Sequence, residues 1–308
     1  MTDRAETAGE TKVAVVGLGG MGSGIAHSIL RAGFPVTVFN RTPGKADELV
    51  GAGAVRAGSA AEAGADADVV VLSLAGEPSV DEVLFGHMSS RIRPGTTIID
   101  TTTVSPAYAR SVTLRLAAAG IPRVEACVIG NPKMAKAGEL RVYTAGEKSH
   151  VDGVGDLLAA FGKEIRYLGE AGAASVLKLS FNLLLGIQTA GLAEAVVFAE
   201  KAGLGRQQFL SVLENSAWRS PVLNFRAELM RDGAYRPAAF RSALMHKDLL
   251  LAREEAEAHR VGLGMVEAAA DVFGKALESG RGDEDAAVVV ELVGQPRREP
   301  GPVLGPSR

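Results

Sequence analysis

Residues 13–22 read Val13-Ala14-Val15-Val16-Gly17-Leu18-Gly19-Gly20-Met21-Gly22. Four consecutive apolar residues, three of them β-branched, suit a strand buried on both faces. The glycines come where the chain must turn sharply, and a segment of helical period, Met21–Ala32, opens directly behind them. A G-x-G-x-x-G spacing is common in isolation. Between a buried strand and a helix it predicts a cradle in which backbone approaches a pyrophosphate and the helix's unpaired N–H groups receive it. Gly17, Leu18, Gly19, Gly20, Met21 and Gly22 are therefore candidate dinucleotide-binding residues.

Outward from that stretch, strand-like runs recur at Val36–Phe39, Val69–Leu74, Thr97–Asp100, Arg123–Val128, Leu140–Thr144 and Ile165–Leu168, with alanine-rich helical segments such as Pro106–Ala119 between several of them. The alternation predicts an α/β Rossmann domain over 11–169, a doubly wound, mostly parallel sheet with helices on both faces. After Gly172 the pattern turns all-helical. Helices are expected at Ala173–Ala202, Gln207–Glu214, Phe240–His259 and Met265–Ser279, in an all-helical domain over 170–293. The first of these is a long interdomain helix, apolar on nearly every face, expected to be buried against its own domain and a second subunit. Residues 1–10 and the proline- and arginine-rich 294–308 are expected to be disordered tails.

Composition narrows the function. The 308 residues carry 33 lysines and arginines against 36 aspartates and glutamates, a net charge of −3. That balance offers no basic face to nucleic acid and no polybasic patch to a membrane. The lone cysteine, Cys127, rules out an internal disulfide and fits a reducing cytoplasm. Set in an apolar run with no activating partner near it in sequence, it reads as a small core residue. The first ten residues lack a signal-peptide core. Leu179–Ala193 is uncharged but interrupted by Ser180, Asn182, Gln188 and Thr189, and too short for a bilayer. A cytoplasmic enzyme acting on a small molecule is the expectation, with no metal site.

The second strand bears on which dinucleotide binds. An NAD-preferring site usually ends this strand in a carboxylate that holds the ribose 2′-hydroxyl. Here Val36–Phe39 ends in Asn40-Arg41-Thr42, with Lys45 behind. An arginine fork and a threonine hydroxyl suit a 2′-phosphate, which a carboxylate would repel. NADP(H) is preferred on this reading and NAD(H) remains possible. Leu74, at the end of the next core strand, joins the cofactor set.

Five segments together resemble the β-hydroxyacid dehydrogenase family, which includes 3-hydroxyisobutyrate dehydrogenase and the NADPH-dependent glyoxylate/succinic semialdehyde reductases. They are GLGGMGSGIAHSIL, FNRTPGK, IIDTTTVSP, LGEAGAASVLKLSFN and HKDLLLA, in the family's order and spread from Lys12 to about Val293. The resemblance implies that Lys178 is catalytic. It places Asn182, one helical turn on, in the same pocket, Thr103 near the nicotinamide ribose, and Lys247 and Asp248 at the nicotinamide end of the cleft. It also implies at least a homodimer.

The residues support that chemistry independently. Hydride addition to a carbonyl builds negative charge on oxygen, so a nearby cation or proton donor lowers the barrier. A lysine in an otherwise apolar helix is costly unless it is paired, functional or snorkelling to water. One stretch departs from the family. Where it reads close to Asp-Ala-Pro-Val-Ser-Gly-Gly, this chain has Glu125-Ala126-Cys127-Val128-Ile129-Gly130-Asn131. Ile129 takes the place of the serine that holds a substrate carboxylate, which leaves the backbone of Gly130 and Asn131. Lys133 and Lys136 follow, either to recover anion binding or as surface charge. Related imine reductases share the architecture and an apolar loop, but usually carry another residue in place of the lysine. Trp218 is either a cap over the pocket or a core side chain. The reading is an NADPH-dependent oxidoreductase of carbonyl or hydroxyl substrates, the alternatives being an imine reductase and a cofactor-binding scaffold without turnover.

Overall fold

The computed structural model describes residues 11–89 and 91–294. The tails expected at 1–10 and 294–308 lie, Gly294 apart, outside these. Chain contacts divide the protein into two compact units. The first runs to Leu184 and takes in Lys247–Gly264; the second comprises Leu185–His246 and the chain from Met265 onward.

The first unit is built on eight strands: β1 (Val13–Val16), β2 (Val36–Phe39), β3 (Val55–Arg56), β4 (Val69–Leu72), β5 (Thr97–Asp100), β6 (Arg123–Ile129), β7 (Leu140–Ala145) and β8 (Gly162–Tyr167). Their order is β3-β2-β1-β4-β5-β6-β7-β8. All neighbours are parallel except β6 and β7, which pair antiparallel. The order reverses between β1 and β4, so their carboxyl ends open onto the crevice where such sheets bind ligands.

Alternation along β1 sends its side chains into both faces. Val13 and Val15 join one core with Ile25, Ile29 and Val38, while Ala14 and Val16 join the opposite core with Val70, Leu72 and Ile98. Each fully buried valine or isoleucine contributes about 1.5–3 kcal/mol. Around the sheet lie α1 (Gly20–Arg31), α2 (Ala60–Ala65), α3 (Pro106–Ala117), α4 (Pro132–Ala137), α5 (Lys148–Gly153) and α6 (Gly155–Phe161). Several starts are set by side chains: the hydroxyls of Ser59 and Ser105 accept from the N–H groups of Glu62 and Tyr108.

Continuous through the unit boundary runs α7 (Ala173–Lys201); α8 (Arg206–Glu214), α9 (Pro221–Asp232), α10 (Ser242–Ala258) and α11 (Gly264–Glu278) follow. By length and composition α7 alone among the described helices suffices to cross a membrane. Yet Asn182 and Thr189 are buried on it, and both are hydrogen-bonded, as on a helix that packs within the protein. Burial on every side is not what the single chain has. Val176, Leu184 and Phe198 fall on one stripe and stand exposed, Phe198 at 75%. In the second unit, Asp285 pairs with buried Arg226 and accepts from the N–H groups of Ala239 and Phe240. That ties the loop before α10 to α9.

The pattern reading passes over β3 and α9, and it starts β8 late. Strand β3 has two residues, both exposed, too few for a period to register. Strand β8 starts at Gly162, earlier than Ile165, because a glycine and two charged residues open it. Helix α9 did carry a signal, Ser220-Pro221, the serine hydroxyl accepting from Leu223 N–H at 3.1 Å.

Candidate active site

At the carboxyl end of β1 the glycines divide their labour. Gly17 has φ +95°, and a side chain there would collide with the Ser73 carbonyl oxygen after β4. A Cβ on Gly22 would run into the Gly17 carbonyl oxygen. Gly20 and Gly24 lie against α4: a Cβ on the former would come 2.8 Å from Pro132 Cγ, one on the latter 2.7 Å from Ala135 Cβ. Gly19 alone of these faces open space, with no atom within 4 Å of where its Cβ would be. It is also the N-cap of α1, with no side-chain cap and no acidic residue in the first turn. Unclaimed N–H donors beside an unfilled space are the requirements of a phosphate cradle. The residues present therefore fit a dinucleotide.

Around the cradle, Leu18 N–H donates to Asn40 Oδ1 at 2.9 Å, and Asn40 Nδ2 donates to the Thr42 carbonyl at 3.1 Å. The Asn40 amide thus ties the glycine turn to the loop after β2, where a direct cofactor contact was expected. Beyond it lies a cleft of ≈ 340 Å³ lined by Arg41, Pro43, Arg56, Ala57 and Gly58 among others. Arg41 is exposed, 3.6 Å from Glu82. Thr42 and Lys45 are exposed and do not line this cleft. Arg56, paired with Asp47, went unnoticed in the sequence because no fixed spacing relates β3 to the glycine turn. Leu74 lies against Gly17 and donates from its N–H to Thr102 Oγ1 at 3.2 Å.

The second group converges from four segments. Lys178, in the second turn of α7, is partly buried and donates from Nζ to the Val128 carbonyl at 2.9 Å. Asn182, one turn on, donates from Nδ2 to Asp248 Oδ2 at 2.6 Å. The other oxygen of Asp248 pairs with Lys247 Nζ at 2.8 Å. That same amine donates to the Thr103 carbonyl at 2.8 Å. Residues 103, 182, 247 and 248 are thereby joined, with Lys178 one helical turn before Asn182. Beneath Lys178 is a cavity of ≈ 10 Å³ whose lining includes Asp100, Thr102, Arg123, Glu125 and Cys127. Burial pushes the Cys127 thiol up to about 11, against an opposing pull from Lys178. The buried thiol forms part of the wall of that cavity.

Ile129 continues the face of β6 that carries Cys127 and packs in a small apolar cluster with Tyr143, Leu168 and Ala173. Gly130 leaves no room for a Cβ beside Leu140. Asn131 caps α4, its Oδ1 accepting from Met134 N–H at 3.0 Å, so its side chain is engaged. Lys136 is exposed and pairs with Glu48 at 2.6 Å, in keeping with the surface-charge alternative. Trp218 belongs to the second unit and is 79% exposed. It is no core tryptophan, and it is not among the residues gathered in the first unit.

Two family profiles match the chain one after the other: the NAD binding domain of 6-phosphogluconate dehydrogenase over residues 12–169, and the NAD-binding profile of NADP-dependent 3-hydroxyisobutyrate dehydrogenase over 172–293. The chain is 32% identical to the chloroplastic glyoxylate/succinic semialdehyde reductase 2 of Arabidopsis thaliana, covering 92% of this chain and 80% of that protein. A crystal structure of 3-hydroxyisobutyrate dehydrogenase from Salmonella typhimurium superposes with a TM-score of 0.86 at 29% identity, over 92% of this chain and 100% of that one. A reductive aminase from Aspergillus terreus, in complex with NADPH4, cyclohexanone and allyl amine, superposes at 0.59 with 26% identity, over 92% and 99%. Two nucleotide-binding profiles in tandem on a Rossmann sheet and its helical sequel make the chain an oxidoreductase of the β-hydroxyacid dehydrogenase family.

Proposed function

We propose that this enzyme uses NADP(H) in preference to NAD(H) and moves hydride between the nicotinamide and a carbonyl or hydroxyl carbon. Its substrate depends less on a carboxylate than the hydroxy acids named for its relatives. The observation that carries the proposal is the Lys178 amine, partly buried and held by a backbone carbonyl beside the interlocked Asn182, Asp248 and Lys247. The bound nicotinamide supplies or accepts the hydride; the chain manages the proton and the charge. Lys178 donates a proton to the oxygen on which negative charge develops and takes it back in the reverse direction. Asn182 uses one N–H on Asp248 and keeps a second for the reacting oxygen. Lys247, drawn between Asp248 and the Thr103 carbonyl, closes the cofactor side.

Arg41 at the rim of the cleft after β2 supports the preference for a 2′-phosphate. Ile129 in its apolar cluster supports the shift away from carboxylates. Residues 11–169 form the nucleotide domain on this reading, and 170–293 serve substrate binding and self-association in a cytoplasmic homodimer or larger homo-oligomer. The exposed apolar stripe of α7 favours that assembly.

Imine reduction is the second reading, favoured by the likeness to a reductive aminase together with the apolar Ile129. A panel of glyoxylate, succinic semialdehyde, neutral aldehydes and a cyclic imine, run with NADPH and with NADH, separates the readings. Neutral aldehydes turned over fastest with NADPH is the expected result. The imine alone turned over would replace it, and tighter binding of NADH would overturn the cofactor preference. Cofactor binding with no turnover on any of them would leave a silent scaffold.

A further inference from the structure

Beneath Lys178 lies a set of charges that the chemistry above does not use. Asp100, Arg123 and Glu125 are each at most 3% exposed. Arg123 Nη2 donates to Asp100 Oδ2 at 2.8 Å and Nη1 approaches Glu125 Oε1 at 3.5 Å. Nη1 also donates to the Ala109 carbonyl and to Thr113 Oγ1 on α3. Burying three charges is costly, and a neutral core is often as stable. What the network holds is therefore informative.

Each carboxylate secures one wall of the site. Asp100 Oδ1 accepts from Thr102 N–H at 3.0 Å, in the loop whose next residue offers its carbonyl to Lys247. Glu125 reaches the start of α7. Its Oε1 accepts from Gly172 N–H at 2.6 Å and its Oε2 from Ser175 N–H at 3.3 Å. Gly172 has no side chain with which to cap this helix, so a residue 47 positions away along the chain does so. Lys178 follows Ser175 by three residues, almost one turn. Its amine returns to Val128, on the strand that carries Glu125. The lysine is thus held at both ends by β6.

We propose that Glu125 is a positioning residue: by capping α7 from β6 it sets where the helix begins, and so where the Lys178 amine stands. The catalytic meaning rests on the reading of Lys178 above; the positioning does not. The groups Glu125 meets here are all donors, namely Gly172 N–H, Ser175 N–H and hydroxyl, and the Arg123 guanidinium. A carboxylate satisfies them with two acceptors. The amide of a glutamine would turn an N–H₂ group against one of them.

Trace acetylation with acetic anhydride, read by mass spectrometry, tests this on the full chain with Lys148 and Lys163 as exposed internal standards. In Glu125→Gln, labelling of Lys178 relative to those lysines is expected to rise about tenfold, the factor that follows from losing about 1.4 kcal/mol of local order. Hydrogen exchange should quicken by a like factor over residues 172–178 alone, with the NADPH dissociation constant unchanged within about twofold. Glu125→Asp, which keeps both acceptors, should bring labelling back to two- to threefold above the parent. A lower melting temperature with parental Lys178 labelling, or exchange quickened equally throughout the first unit, would overturn the proposal. Should Glu125→Gln not fold, Glu125→Asp decides: parental labelling there also overturns it. Activity that survives Lys178→Ala would instead sink the catalytic reading and leave this result standing.

Discussion

The glycine turn and the lysine centre solve opposite problems on one sheet. The turn excludes side chains: Gly17 and Gly22 pass within collision distance of backbone carbonyls, while Gly19 is left open. The turn itself is written in consecutive residues, although the neighbours that crowd it, Ser73 and Pro132 among them, come from elsewhere in the chain. The lysine centre packs charge into the interior and pairs most of it, drawing on β5, β6, α7 and α10. One site works by vacancy and backbone donors, the other by hydrogen bonds between side chains and backbone of distant segments. Alteration of the first should therefore be felt in binding, and of the second in turnover.

The largest expected effect sharpens that division. Lys178→Ala should lower turnover on the order of 10³-fold while leaving the NADPH dissociation constant within about threefold, by steady-state kinetics beside fluorescence titration. Equal loss in both would erase the distinction between the two sites. Next come paired glycine substitutions. Gly22→Ala places a methyl against the Gly17 carbonyl and should cost about 2–4 kcal/mol of stability along with cofactor binding. Gly19→Ala should leave the melting temperature within about 2 °C and weaken NADPH at least about tenfold, since its methyl fills only ligand space. A Gly19→Ala chain that binds normally would break the account of the cradle.

Smaller is the effect at the rim of the cleft. Arg41→Ala is expected to weaken NADPH about tenfold, the loss of one charge-assisted contact, and NADH by less than about twofold. Equal weakening of both would remove Arg41 from 2′-phosphate recognition. Least of all should be seen at Cys127. With its thiol pushed up to about 11 by burial, native protein at pH 8 should resist iodoacetamide and react once unfolded. The sign for stability follows. The folded state keeps its proton over the window from the ordinary thiol value of 9.0 to about 11, so stability falls as pH rises through it. Cys127→Ala should flatten that fall, as read by urea midpoints at pH 8 and pH 10.5.

The difference between the two regions also explains what could be read before any coordinates. Val13–Val16 running into the glycines announced the turn, and the runs at Val36–Phe39 and Thr97–Asp100 reproduce β2 and β5 to the residue. These features are written in consecutive side chains, whose period and punctuation follow from local sterics. The spacing of Lys178 and Asn182 equally put them one helical turn apart. The ties that bind them are another matter. The Asn131 side chain caps a helix, which leaves only its backbone to a ligand, and Lys136, read as either an anion contact or surface charge, pairs with Glu48.

Local periodicity and glycine placement were enough, from the amino-acid order alone, to specify a Rossmann sheet, its dinucleotide turn and a lysine-bearing helix behind it. The bonds around that lysine were beyond such reading. Val128, which holds its amine, and Glu125 and Asp248, which hold Gly172 and Asn182 on the same helix, lie 50, 53 and 70 residues from Lys178, and which of them meet depends on strand order and helix packing. Hydrogen bonds between segments so far apart leave no period in the chain. They exist only once the sheet has set its register.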